Sequence, residues 1–200
     1  MKTTIAIINY DTPQFIYYLV QSIKKQCNED YSLCIFDNGR ERRIVNKLDN
    51  ITIYRNNKNR YFKVDNLSID EVYDKSIRTL CNILTDDRLI IINPCTLVNN
   101  TFLNVYKNSD LFFETFDKKC VSIRLNSIDK SLLDDYNKPI IDVLKDHYPE
   151  NQPRYLMGVG SLDYILEGSR FNIVENKVVL VVPKNNVKNI KEDLLIIGLI

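Results

Sequence analysis

Glycine is scarce in this chain, with 5 in 200 residues, and only 6 prolines accompany it. With no low-complexity run either, there is little material for linkers or disorder, and order nearly end to end is expected. Neither charge sign is in excess: 27 Lys and Arg stand against 26 Asp and Glu, a net charge of +1. The electrostatic footprint needed for sequence-independent nucleic-acid binding is therefore missing, as is that of a polybasic membrane surface. The single histidine, His147, cannot build a His-rich metal site and lies in a charged stretch that reads as helical surface. The five cysteines, at 27, 34, 81, 95 and 120, form no C-x-x-C pair, which argues against a zinc ribbon or a disulfide framework. No stretch approaches the roughly 18 to 20 apolar residues that span a bilayer. The apolar run Ile5 to Ile8 is too brief for a signal peptide. A reduced, cytoplasmic protein is the simplest expectation.

What is present is alternation. Thr3 to Ile8 is an apolar, β-rich run without a polar face, as in a strand covered on both sides. Thr12-Pro13 then reads as a cap with proline at the first helical position, and Phe15, Tyr18, Leu19, Ser22 and Ile23 recur at helical spacing. A second strand spans Tyr31 to Phe36 and ends in the turn-forming Asp37-Asn38-Gly39. A short helix is expected around Ile44, Val45 and Leu48, and a third strand at Ile51 to Tyr54. Ser68 followed by Glu71 fits a capping box, and Ile69, Val72, Tyr73, Ile77, Leu80 and Leu84 mark the apolar face of a long helix. Arg88 to Ile92 is a fourth strand, stopped by Asn93-Pro94.

This β-α-β-α-β-α-β order predicts an α/β fold, Rossmann-like, with a mainly parallel sheet flanked by helices. The second half predicts a strand at Cys120 to Leu125, helices at Ser127 to Tyr136 and Ile140 to Tyr148, and a short helix at Leu162 to Leu166. It closes with a hairpin of Arg170 to Val174 and Val178 to Val182, turning at Glu175-Asn176. One domain over 1–200 is expected.

In open α/β sheets ligands gather at the carboxyl ends of the strands. There the chain carries Asn9, Asp11, Asp37, Asn38, Asn59 and Asn93, carboxylates and amides of the kind that fix a base and ribose by directional hydrogen bonds. The first strand-to-helix turn, Asn9-Tyr10-Asp11-Thr12-Pro13, contains no glycine, which excludes a dinucleotide fingerprint and a P-loop. A nucleotidyltransferase would likewise need a glycine-rich basic loop at that place. Each feature also has an ordinary structural role: Asp37-Asn38-Gly39 as a tight turn, Thr12-Pro13 as a helix start, Cys95 as a small buried residue.

Three segments together resemble a family: Thr3-Thr4-Ile5-Ala6-Ile7-Ile8-Asn9-Tyr10-Asp11-Thr12-Pro13, Ile35-Phe36-Asp37-Asn38-Gly39-Arg40, and Leu89-Ile90-Ile91-Ile92-Asn93-Pro94-Cys95-Thr96. In order and spacing they are similar to the first, second and fourth strands of GT-A fold inverting glycosyltransferases of the family 2 type, which includes rhamnosyl- and galactosyltransferases. The resemblance implies a GT-A-like fold, with 1–98 as its nucleotide-binding half and 99–200 as its acceptor half, and transfer of a sugar from a nucleotide-sugar donor to a glycan or polysaccharide acceptor. It implies that Asn9, Tyr10 and Asp11 line the nucleotide pocket, with Asn38 and Asn93 beside them. Asp37 would hydrogen-bond the base, and Asn59 and Arg60 would stand near base or diphosphate.

It also implies Asp163, in Gly160-Ser161-Leu162-Asp163-Tyr164, as the general base, with Glu167 a less favoured candidate one turn later. The family holds Mn²⁺ or Mg²⁺ with a carboxylate where this chain has Cys95, and often with a histidine in the last strand, where Val181-Val182-Pro183-Lys184 has none. A neutral thiol is a poor ligand for a hard cation, so the metal motif is degenerate. That departure leaves a second expectation open, a catalytically inactive relative serving as a binding or assembly partner, docking through its apolar C-terminus.

Overall fold

The computed structural model describes residues 1–10, 13–38, 50–55, 68–94, 96–98, 100, 102–107, 111–114, 120–149, 159–161, 172–174 and 177–179. The first half follows the predicted alternation: β1 (Thr3–Asn9), α1 (Pro13–Gln26), β2 (Ser32–Asp37), β3 (Thr52–Arg55), α2 (Ile69–Ile83) and β4 (Arg88–Ile92). Then come β5 (Thr96–Val98), α3 (Phe102–Lys107), β6 (Phe112–Glu114), β7 (Cys120–Ile123), a 3₁₀ helix (Lys130–Asp134) and α4 (Ile140–His147). Three short strands complete the described elements: β8 (Val159–Ser161), β9 (Asn172–Val174) and β10 (Lys177–Val179).

The main sheet has the order β3-β2-β1-β4-β7-β6. β3, β2, β1 and β4 run parallel, while β7 is antiparallel to β4 and β6 to β7. β1 sits between β2 and β4, and all seven of its residues are buried, which is why its sequence shows no polar alternation. On one face Ile5, Ile7, Leu33, Ile35, Ile90 and Ile92 pack under Ile16, Leu19 and Ile23 of α1 and Phe102 and Tyr106 of α3. On the other, Ala6, Ile8, Cys34, Phe36, Leu89 and Ile91 meet Ile77, Leu80 and Cys81 of α2 and Ile140 and Leu144 of α4. The mixed α/β architecture, a mostly parallel sheet flanked by helices, is the one the alternation predicts.

α2 starts as its sequence dictates. Glu71 N donates to Ser68 Oγ at 3.2 Å and Ser68 N donates to Glu71 Oε2 at 2.7 Å, so two orphan amides of the first turn are satisfied reciprocally. α4 starts differently, because its cap residue Pro139 has no side chain that can accept. The acceptor comes from α2: Asp74 Oδ1 takes the amide of Ile140, while Asp74 Oδ2 holds Arg78 Nε at 2.8 Å. Arg78, 3% exposed, also donates to the carbonyls of Leu133 at 2.6 Å and Lys138 at 2.8 Å, and its guanidinium lies 4.6 Å from the ring centre of Tyr136. One ion pair thus ties α2, the 3₁₀ helix and α4 together.

The stretch Ser127 to Tyr136, expected as an α-helix, instead makes a turn and then the short 3₁₀ helix. Ser127 N and Ile128 N both donate to Arg124 O, and Asp129 caps Ser131 N at 2.9 Å. Side chains of this type compete for backbone amides and favour caps over helix interiors. Of the expected closing hairpin the described residues hold β9 and β10, paired antiparallel with Val174 opposite Lys177; the expected turn at Glu175-Asn176 lies outside the described residues. The expected helices around Ile44 to Leu48 and Leu162 to Leu166 lie outside the described residues. No helix among the described residues is long and apolar enough to cross a membrane.

Four cysteines, 27, 34, 81 and 120, are free and buried, and burial pushes the thiols of Cys27, Cys34 and Cys81 up to about 12. All four are buried, and the raised thiols of Cys27, Cys34 and Cys81 are inert as nucleophiles near neutral pH.

Candidate active site

The chain leaves β1 toward β2 and β3 on one side, and β4 returns on the other, so the strand order reverses between β1 and β4. That switch point is where an open α/β sheet has a crevice at its carboxyl edge. Asn9 ends β1, Asp37 ends β2 as its Cα partner, and Asn93 follows β4.

Asn9 is fully buried and Asp37 is 3% exposed. The amide of Asn9 donates from Nδ2 to Asp37 Oδ1 at 2.7 Å, a bond that fixes the plane of the carboxylate. Asn38 is held by its backbone, N donating to Asn9 O at 3.1 Å, and by its side chain, Nδ2 donating to Ser76 Oγ of α2 at 3.0 Å. Strand alternation sends Asn9 and Asp37 toward the α1 face, with Ile5, Ile7 and Ile35, and sends Tyr10 toward α2.

On that α2 side lies a cavity of about 240 Å³, lined by Ile8, Tyr10, Asn93 and Pro94 from the strand ends and Ile69, Val72 and Tyr73 from α2. Its walls are mostly apolar, with the amide of Asn93 and the two tyrosines as polar points, the usual composition of a site for a planar organic ring. Ile69, expected in the core face of the helix, is instead 61% exposed at this rim. The helix residues that wall the cavity read in the sequence only as a packing face. The signal that set them apart was positional, the first two turns of a helix that begins beside strand ends.

A second association ties a segment from the later half of the chain to the strand that follows Asn93. β5, which begins three residues after Asn93, pairs antiparallel with β8, Thr96 opposite Ser161 and Val98 opposite Val159. Ser161 is two residues before Asp163 in the chain. β5 is itself anchored on α1, Val98 N donating to Ser22 Oγ at 3.3 Å.

Of the residues predicted for the site, Asn9, Tyr10, Asp37, Asn38 and Asn93 therefore gather at the carboxyl edge around β1, β2 and β4. Asp11, Asn59, Arg60, Cys95, Asp163 and Glu167 lie outside the described residues. Asp86 and Asp87 stand at the opposite edge: Asp86 takes Lys2 Nζ at 2.8 Å and the hydroxyl of Thr4, and Asp87 Oδ2 accepts from Lys2 N at 2.7 Å. Among the described residues no group of three or more His, Cys, Asp or Glu could hold a metal ion. At the end of β4 the described residues contribute one neutral amide, Asn93, which by itself does not fit a hard divalent cation.

No protein-family model and no curated protein matches the chain. Solved structures do. The chain is similar to the galactosyltransferase LgtC crystallised with donor and acceptor sugar analogues, at 12% identity and a TM-score of 0.47, over 77% of this chain and 67% of that one. It is similar to the glycosyltransferase GlyE of Streptococcus pneumoniae at 8% identity and a TM-score of 0.47, over 76% of this chain but 44% of GlyE. It is also similar to residues 1–349 of TarS from S. aureus at 13% identity and a TM-score of 0.40, over 57% of this chain and 36% of that one.

Proposed function

We propose that this chain is a glycosyltransferase that moves a sugar from a nucleotide-sugar to a glycan or polysaccharide acceptor, with inversion. One observation carries the reading. In the three segments that resemble inverting GT-A enzymes, the strand-end residues Asn9, Asp37 and Asn93 stand at the switch point of one mostly parallel sheet, with Asn9 bonded to Asp37 and with Tyr10 and Asn93 in one cavity wall.

In this reading the nucleoside lies across the carboxyl edge of the sheet, over the Asn9–Asp37 pair and against the α2 wall beyond it. Asp37 accepts a hydrogen bond from the base, Tyr10 offers a face for stacking, and Asn38, Asn93, Asp11, Asn59 and Arg60 complete the contacts to ribose and diphosphate. Asp163 takes the proton of the acceptor hydroxyl as that oxygen attacks the anomeric carbon. The bond from the anomeric carbon to the diphosphate oxygen breaks on the opposite side, its electron pair leaves with the nucleoside diphosphate, and the configuration inverts. The pairing of Thr96 with Ser161 supports this role for Asp163, since it ties the segment before Asp163 to the strand that follows Asn93.

The test is calorimetric titration with UDP, GDP, dTDP and CMP, each with and without Mn²⁺. Saturable binding of one nucleotide is the expected result. Binding of none of them, in either condition, overturns the reading and leaves the inactive, partner-binding relative in its place.

A further inference from the structure

We infer that Ser76, in the third turn of α2, is a positioning residue that sets the distance between the polar strand ends and the cavity wall. This rests on the nucleotide-site reading above and adds a residue that no motif in the sequence marks. Ser76 is 2% exposed. Its hydroxyl donates to the carbonyl of Val72 at 2.7 Å and accepts from Asn38 Nδ2 at 3.0 Å. Val72 lines the cavity, and Asn38 directly follows Asp37 and donates its own N–H to Asn9 O.

A single hydroxyl therefore joins the exit of β2 to the helix turn that walls the pocket. Serine is a poorer helix former than alanine, and a hydroxyl bonded back to the carbonyl four residues earlier slightly weakens a helix. Helix stability does not account for serine here, whereas the accepted bond from Asn38 does. Without it Asn38 loses its bond to Ser76, and with it the direct link between the residue after Asp37 and the helix turn at Val72. The ligand affected is the nucleoside diphosphate part of the donor.

The experiment titrates Ser76→Ala, Ser76→Thr, Asn38→Ala and the double variant Asn38→Ala/Ser76→Ala with the nucleotide that the wild-type chain binds. The thermal midpoint of each is recorded without ligand. Ser76→Ala is expected to weaken binding about five-fold, the worth of one ordinary hydrogen bond. Ser76→Thr, which keeps the hydroxyl, restores it, and Ser76→Ala adds no further loss on top of Asn38→Ala. Should Ser76→Ala not fold, Ser76→Cys, which keeps the size but only a weak acceptor, takes its place with the same expected loss. Unchanged affinity in Ser76→Ala, losses that add to those of Asn38→Ala, or no rescue by Thr would each overturn the inference. A wild-type chain that binds no nucleotide overturns the site reading itself, and Ser76's role with it.

Discussion

Asn9 Nδ2 donates to Asp37 Oδ1 at 2.7 Å across two neighbouring parallel strands, with both residues almost completely withdrawn from solvent. A carboxylate at the end of a buried strand is costly unless it is hydrogen-bonded, and the partner here is itself a residue predicted for the site. The pair orients one carboxylate oxygen of Asp37 through the amide of Asn9.

Replacing Asp37 by alanine removes the acceptor of a buried amide, so the fold loses about 1–3 kcal/mol as well as affinity. Asp37→Asn is the cleaner probe. It keeps an acceptor oxygen for Asn9 while removing the charge, and it should weaken nucleotide binding about tenfold with little change in the urea midpoint. Affinity equal to wild type in Asp37→Asn would take Asp37 out of the base contact.

The Asp74–Arg78 pair makes a separate prediction about stability. Asp74→Ala leaves a guanidinium that is 3% exposed without its carboxylate and at the same time uncaps α4, whose own cap residue is proline. Arg78 is buried but Asp74 is 18% exposed, so breaking the pair from one side is expected to cost about 2 kcal/mol in urea unfolding. A double replacement, Asp74→Leu with Arg78→Met, removes both charges and should recover part of that loss.

Local signals in the sequence carried the first half of this fold. The Ser68–Glu71 capping box, the unbroken apolar run of β1 and the proline after β4 each act within a few residues, so each was legible. The parallel order also followed from alternation, because parallel strands need crossovers and helices were read between them. What escaped depends on distant partners. Asn38 and Ser76 are 38 residues apart, and Asp74 and the amide it caps are 66 apart. The pairing of β5 with β8 is also long-range, and neither three-residue strand has a period to read. Amphipathic spacing does not distinguish the 3₁₀ helix at Lys130–Asp134 from an α-helix, because it does not report the Asp129 carboxylate taking the amide of Ser131.

Asp86 gives a pH signature far from the site. Burial alone would raise its pKa, but the bonds from Lys2 and Thr4 outweigh burial and hold it below the ordinary value of 3.8. A carboxyl whose folded pKa is depressed contributes stability that is present above its unfolded value and lost as the pH falls through its folded value. The stability gap between wild type and Asp86→Asn should therefore be widest at neutral pH and close below pH 3.8. Unfolding curves across that range check the sign, and a gap that widens toward acid would contradict the Lys2 and Thr4 assignment.

The proposed general base separates binding from chemistry. Asp163 would act on the acceptor hydroxyl and make no contact with the nucleotide, so Asp163→Asn should bind the nucleoside diphosphate as wild type does. Transfer should fall by about 10²- to 10⁴-fold, the usual contribution of a positioned base. The assay is release of nucleoside diphosphate from the matching nucleotide-sugar in the presence of acceptor. Asp37→Asn loses affinity first, whereas Asp163→Asn loses turnover with affinity intact, and the two variants together divide the site into a donor half and an acceptor half. If Asp163→Asn still transfers while Glu167→Gln does not, the base is Glu167. If neither affects turnover, the proton leaves by another route, and the reading of the segment after Ser161 fails even though the nucleotide site stands.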